Sequence, residues 1–469
     1  MRTRLRGPTV DYSKFIESKR FQNVETGFDA DDDFLNDHLF DFQRVIVKWA
    51  LKKGRAAIFA DTGMGKSLMQ LTWAWAVNQY TGNRVLIVAP LCVAQQTEKE
   101  AEKFGMRCRY VREFVGGGDT GIYVTNYDML DKFQGWIEKG YFDGIVLDES
   151  SILKNESGRK RNQIIEMCST VPYRLSCSAT PSPNDHMELG SQAEFLGIMS
   201  SAEMLATFFI HDSGETSKWR LKGHGKVKFW EWLSTWAVCL RRPSDLEFDD
   251  KGYELPPLEM IERIVSTSKG MSGALIAKTL SERIEARRFT IAERVAECAK
   301  IVNQSTGPFL VWCNLNEEAA GLVAAIDGAI EVRGTDKPSD KERKLMDFTE
   351  GRARVLVTKP KIAGFGMNWQ HCSQMAFVGL NDSFEQLYQS IRRCYRFGQQ
   401  NSVKVFLISS DLEGETLANI KRKEAQHNEM SAQMVLQMRD FSRREVRSSI
   451  NERVIYHAET DLHIPEWLH

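Results

Sequence analysis

No apolar run in this chain approaches the roughly 20 residues that a membrane-spanning helix needs. The basic opening Met1-Arg-Thr-Arg-Leu-Arg6 is not followed by a hydrophobic signal core, so export and membrane insertion are not expected and an intracellular location is. The nine cysteines, at 92, 108, 168, 177, 239, 298, 313, 372 and 394, are scattered and form no C-x-x-C pair, which argues against both a disulfide framework and a zinc site. Charge of one sign is also missing. Lys and Arg number 62 against 63 Asp and Glu, a net of −1, so a polyanionic partner has to be held by local basic surfaces. No long repeat or low-complexity tract suggests a solenoid. What is present is 469 residues, 42% hydrophobic and 27% charged, enough for two globular domains with appendages.

Short β-branched or apolar runs alternate with helix-like stretches from about 40 to 180, at 56–60, 85–89, 122–125, 144–148 and 173–178. The rhythm returns after 305, at 309–313, 329–332, 354–358, 375–378 and 403–408. Such alternation predicts an α/β chain with two parallel sheets covered by helices. Between them, 191–300 turns helical, aromatic and charged, with the turn-rich Arg241-Arg-Pro-Ser-Asp245 and Leu255-Pro-Pro257, and reads as an insertion and hinge. The expected division is a tail over 1–35, a first lobe over 36–190, the insertion, a second lobe over 301–411 and a helical extension over 412–469. The acidic Asp29–Asp33 region and the polar extension are expected to be peripheral or partly mobile.

The first apolar run leads straight into Ala60-Asp-Thr-Gly-Met-Gly-Lys-Ser67. Glycines let consecutive N–H groups close on an anion, and the following helix offers its unpaired N–H groups and positive dipole end. This predicts ATP bound by Asp61, Thr62, Gly63, Met64, Gly65, Lys66 and Ser67. Lys66 would reach the β- and γ-phosphates and Ser67 would ligate Mg²⁺. Alanine stands at position 60, where the general pattern has glycine. The run 144–147 delivers Asp148 and Glu149 at its carboxyl end, where ligands bind in open parallel sheets. Asp148 suits a metal-holding carboxylate and Glu149 a group that orients the attacking water.

With these motifs in place the chain resembles superfamily-two helicases, in particular the Swi/Snf-type DNA translocases, over about 38–410. The resemblance implies two RecA-like lobes closing on Mg·ATP. Leu39-Phe-Asp-Phe-Gln43 looks like the segment whose glutamine reads adenine, which gives Gln43 that role. Val88-Ala-Pro90, Thr125-Asn-Tyr127 and Thr358 correspond to backbone contacts with nucleic acid, through Pro90, Thr125, Asn126 and Thr358. Asp148-Glu-Ser-Ser-Ile-Leu-Lys-Asn155 resembles the acidic motif, with Ser151 in place of the usual histidine or aspartate. Ser178-Ala-Thr180 is similar to the motif that couples nucleotide state to closure, and Gln389 joins Ser178 and Thr180 in that role. Leu240-Arg-Arg242 with Leu255-Pro256 resembles the arginine pair and hinge of the Swi/Snf branch.

In the second half, Arg333-Gly-Thr335, Arg343 and Phe348 follow the family succession. Ala363-Gly-Phe-Gly-Met-Asn-Trp369 resembles a glycine-rich motif that brings Gly366 to the nucleotide, with Trp369 expected in packing. Gln389-Ser-Ile-Arg-Arg-Cys-Tyr-Arg-Phe-Gly-Gln399 matches Q-x-x-x-R-x-x-R-x-G-Q. Its Arg393 and Arg396, three apart on one helical face, would neutralise charge at the γ-phosphate, worth about 10³ to 10⁵ in rate.

In the insertion, Lys218 and Arg220 interleave with aromatic residues, as phosphate contact plus stacking would require. Trp230, Leu233, Trp236 and Leu240 instead recur at helical spacing and predict a buried stripe. The expected partner is nucleic acid, double-stranded DNA above all. The expected activity is ATP-driven translocation, with a strand-separating DNA or RNA helicase and a non-hydrolysing ATP-gated clamp as alternatives. A compact motor of this kind suits a bacterial or phage setting, nucleoid-associated or in a host cytoplasm.

Overall fold

A computed structural model describes residues 25–451, apart from 155–157, 183–184, 213–214, 267–284, 286, 364–366 and 382. The first lobe holds β1 (Arg55–Ala60), β2 (Arg84–Ala89), β3 (Cys108–Tyr110), β4 (Ile122–Asn126), β5 (Phe142–Asp148) and β6 (Tyr173–Cys177). An antiparallel hairpin, β7 (Phe209–Asp212) and β8 (Glu215–Leu221), and a short β9 (Ala237–Leu240) follow. The second lobe holds β10 (Leu258–Val265), β11 (Phe309–Cys313), β12 (Ala329–Glu331), β13 (Val355–Thr358), β14 (Gln374–Val378) and β15 (Val403–Ser410).

The sheets run β3-β4-β2-β5-β6-β1-β9 and β10-β15-β14-β11-β13-β12, and every pairing in both is parallel. These are the two α/β lobes that the alternation predicts. Strands covered on both faces need apolar side chains on both, which is why they read as continuous runs. Along β1, Ile58 and Ala60 point into one core while Ala57 and Phe59 point into the other. In β11, Leu310 and Trp312 serve one face and Phe309 and Val311 the opposite one. Among the described residues no helix is long and apolar enough to cross a membrane.

The segment 191–300 does not stand apart as an insertion. Its β9 is the outer strand of the first sheet, hydrogen-bonded to β1, and its β10 is the outer strand of the second, paired with β15 over eight residues. Trp230, Leu233 and Trp236 are buried, but the helix that carries the first two stops at Ser234 and Leu240 lies on β9. The strand needs this turn, because β1 would otherwise be an open edge beside the glycine loop.

The C-terminal extension also departs from expectation. One helix, Gly414–Asn451, starts with Leu417 and Ile420 in the second lobe's core and ends with Met434, Met438 and Val446 in those of the first. Arg443 pairs with Glu247 at 3.0 Å, and Lys53 pairs with Glu445 at 2.8 Å. A helix that buries residues in both lobes is structural rather than peripheral.

Candidate nucleotide site between the lobes

The glycine loop leaves β1 at Asp61 and ends at Gly65, whose left-handed φ of 79° starts the helix Lys66–Thr81. Two glycines are required by close approach. A Cβ on Gly63 would stand 2.9 Å from the Phe397 nitrogen of the second lobe, and one on Gly65 would stand 2.1 Å from Gln43 Nε2. Lys66 Nζ donates to the loop's own carbonyls, Ala60 O at 2.8 Å and Asp61 O at 3.2 Å. Burial pulls its pKa down, against the opposing pull of Glu149, Asp61 and Asp148.

Across the cleft, Arg393 and Arg396 line one narrow cavity of about 70 Å³ together with Thr62, Gly63, Gly65, Lys66, Ser67, Asp148 and Glu149. The expected catalytic residues of both halves therefore meet. Arg393 is held by its own turn, donating to Gln389 O at 2.9 Å and Gln389 Oε1 at 3.1 Å. Burial, then Arg396, pull its pKa down to about 10, and it stays charged at neutral pH.

At the end of β5, Asp148 Oδ1 accepts from Gln70 Nε2 at 2.7 Å. Burial raises the Asp148 and Glu149 pKa values, while Lys66 opposes the rise at both. Glu149 sits at φ +54°, one of two non-glycine residues with positive φ among the described residues. Its Oε2 is buried with no hydrogen-bond partner. The Ser67 hydroxyl, the Asp148 carboxylate and this orphaned oxygen make an oxygen-rich donor set that fits a hard cation such as Mg²⁺.

Gln43 is buried against the loop, its Oε1 accepting from Phe40 N at 2.9 Å and its Nε2 donating to Met64 O at 2.8 Å. Met64 also lines a larger cavity of about 560 Å³, bounded by Arg241, Arg242, Tyr253, Tyr395 and Phe397. The Phe40 ring packs against the rings of Tyr253 and Phe397. Ser178 Oγ accepts from Thr180 N at 3.0 Å, and Thr180 Oγ1 and Gln389 Nε2 are buried without partners. Gly366 lies outside the described residues. Trp369 is buried, its Nε1 donating to Thr349 Oγ1 at 2.9 Å, in the packing role expected of it.

Three expected nucleic-acid contacts face inward instead. Thr125 is fully buried; Asn126 accepts from Asp128 N and Met129 N and donates to Tyr110; Thr358 donates to Val332 O at 3.3 Å. Asn126 anchors the turn after β4, Thr358 ties the end of β13 to the residue after β12, and Thr125 Oγ1 is buried without a hydrogen-bond partner, so none of the three side chains is exposed. Pro90 caps the helix Leu91–Lys103 and is half-buried, while Arg220 is exposed on β8; the Lys218 side chain lies outside the described ones.

Sequence reasoning missed Gln70, Tyr388 and Arg392. Gln70 lies three residues after Ser67, on the same helical face, and that spacing was the available signal.

The chain matches an SNF2-related domain over residues 42–211 and a helicase conserved C-terminal domain over 293–398. Through these two domains it resembles the SNF2-related ATPases. The chain is 23% identical over 221 residues to the mouse SWI/SNF-related matrix-associated actin-dependent regulator of chromatin subfamily A member 1, covering 42% of this chain and 21% of that one. It is 21% identical over 414 residues to the Drosophila melanogaster A-like protein 1 of the same group, covering 79% and 52%. It is 27% identical over 165 residues to human DNA repair and recombination protein RAD54B, covering 31% and 18%. The chain thus spans between about a fifth and a half of these relatives. Among solved structures, the Sulfolobus solfataricus SWI2/SNF2 ATPase core in complex with dsDNA aligns over 92% of this chain and 99% of that one, at 17% identity and a TM-score of 0.42.

Proposed function

We propose that this chain hydrolyses ATP between its lobes and uses the cycle to move along duplex DNA. The observation that carries the reading is the shared cleft, with Lys66, Ser67, Asp148 and Glu149 on one wall and Arg393 and Arg396 on the other. Phosphoryl transfer needs positioning and charge stabilisation more than covalent help, and these residue types supply both. Lys66 exchanges its loop carbonyls for the phosphates. Glu149 orients the attacking water, and the two arginines neutralise charge on the transferred group. Ser67 and Asp148 would hold Mg²⁺, whose charge would offset that of the phosphates.

The aromatic cavity beside Gly63 and Met64 takes the base and ribose, with Gln43 fixing its wall through Met64. Because Arg393 and Arg396 come from the second lobe, hydrolysis and lobe closure are one event. Differential binding to open and closed states is what such a motor uses. Duplex DNA as the track rests on the motif order and on the DNA repair and chromatin names of its relatives.

The test is ATPase activity titrated with duplex DNA, single strands and RNA, with Glu149→Gln as control. Stimulation by duplex, lost in Glu149→Gln while nucleotide binding survives, is the expected result. A rate indifferent to nucleic acid points to a different role, and no turnover in the wild type points to a clamp. Triplex displacement without release of a labelled strand separates translocation from unwinding.

A further inference from the structure

Asp61, the residue immediately before the glycines, spends its whole carboxylate on closing the cleft. Oδ1 accepts from Tyr388 Oη at 2.5 Å and from Thr62 N at 2.6 Å, and Oδ2 accepts from Arg392 Nη2 at 3.0 Å. Both side chains of the Arg392–Asp61 pair are 14% exposed. The Arg392 guanidinium also lies over the rings of Tyr388 and Tyr395, 5.1 and 5.5 Å from their centroids, so it has little freedom to turn elsewhere. Burial pushes the Asp61 pKa up, but Arg392, Tyr388 and Thr62 outweigh it and the net is below the ordinary value. Asp61 is therefore ionised at neutral pH.

Tyr388 lies on the helix Phe384–Ile391, Arg392 caps it, and Arg393 and Arg396 follow directly. The other end of that helix is fastened too, since Glu385 pairs with Lys154, six residues past Asp148. The helix is thus tied at one end to the glycine loop and at the other to the segment after the acidic pair. Ser151, buried in that segment, does not take part in either tie.

We propose that Arg392 and Tyr388 are positioning residues, which clasp Asp61 and so set Arg393 and Arg396 against the phosphates. This rests on the reading of the cleft as the site of ATP hydrolysis. The clasp links the two lobes through the loop that holds the phosphates, so closure is registered at the loop itself. Hydrolysis depends on the clasp, whereas nucleotide binding to the first lobe does not.

The experiment uses the full chain and measures three things: kcat for ATP with saturating duplex DNA, the affinity for a fluorescent ADP, and the radius of gyration without nucleotide by small-angle scattering. Arg392→Ala is expected to lower kcat about tenfold or more, the loss of a charge-assisted hydrogen bond. Because Arg392 also lines the 560 Å³ cavity, ADP affinity should fall, but by much less than kcat, and the free protein should become more extended. Arg392→Lys should recover much of the rate, and Tyr388→Phe should fall between.

An unchanged kcat with unchanged dimensions in Arg392→Ala overturns the clasp. Loss of ADP affinity in step with kcat overturns it as well, because Arg392 would then touch the nucleotide itself. If wild type and Glu149→Gln turn over ATP equally, the reading of the site has failed instead. In that case the radius of gyration of Arg392→Ala still decides whether the clasp holds the lobes.

Discussion

Replacing Glu149 by glycine should abolish turnover and stabilise the first lobe. At φ +54° this residue occupies the left-handed region, where an L side chain costs roughly 1–2 kcal/mol. Its Oε2 is buried with no partner, a defect worth about 1–3 kcal/mol. Glycine removes both and gives back about 0.5–1 kcal/mol through the freedom of its unfolded chain. The net is a gain of about 1–4 kcal/mol. For a unit of this size that corresponds to roughly 2–4 °C in Tm per kcal/mol.

The control is Glu149→Gln, which keeps the strained backbone and loses only the charge. Both variants should lose about 10² or more in kcat. The glycine variant should melt above the glutamine variant by up to the same gain of about 1–4 kcal/mol, since glutamine keeps both the backbone conformation and a polar atom at the unpartnered position. Calorimetry on the two proteins, with an ATPase assay on each, measures this directly. If Glu149→Gly melts below both wild type and Glu149→Gln, the backbone carries no strain at this position and the reasoning is refuted.

Gln70→Ala should lower kcat/KM about 10- to 100-fold and raise the Mg²⁺ needed for half-maximal rate, because the buried Asp148 carboxylate loses its donor; a Mg²⁺ titration of ATPase activity checks it. Tyr253→Ala, which removes a ring from the 560 Å³ cavity, should weaken ATP binding about tenfold with kcat at saturation little changed, as read from KM and a fluorescent-nucleotide titration. Arg294→Met strands Glu318, which is fully buried and 2.6 Å from the guanidinium, and should cost the second lobe about 3–5 kcal/mol in urea unfolding. Met438→Ala should cost about 2–5 kcal/mol if the long C-terminal helix belongs to the first lobe's core, and nearly nothing if the helix is an appendage.

The central strands were legible because their burial on both faces writes an unmistakable apolar run. The expected 85–89 is Arg84–Ala89 in the structure, and 309–313 is identical. The side chains that meet in the cleft were legible for a related reason: each sits within a few residues of a glycine turn or strand end that announces it. Of the four edge strands of the two sheets, β12 was expected at 329–332, whereas β3, β9 and β10 could not be read. Cys108–Tyr110 has three residues, and the four of β9 continue the helical phase of Trp230 and Leu233, so periodicity assigns them to a helix. The strand β10 is largely exposed, with Ile264 at 62%, and offers no inside-outside alternation to detect. The inward turn of Thr125, Asn126 and Thr358 was hidden as well, because a strand-end hydroxyl or amide looks the same whether it caps a turn or meets a phosphate.

The contacts that join the lobes were the least visible of all, and for a reason that bears on mechanism. Asp61 meets Tyr388 and Arg392 across 327 and 331 residues, so no local pattern records the pairing. The same holds for Met434 and Met438, which leave the second lobe on a helix and are buried in the first. The proposed motor would need its lobes to move, yet the described contacts tie them at the glycine loop, at Lys154 and along the C-terminal helix. The clasp at Asp61 is polar and belongs to the loop proposed to hold the phosphates, so a nucleotide seated there acts on it through the loop. The helix is anchored by buried apolar side chains such as Leu417, Ile420 and Met438, which lie outside the 560 Å³ cavity, although Val435 and Leu436 line it. On the proposed reading the clasp is the polar tie next to the phosphates, while the helix is the apolar tie that keeps the lobes in register.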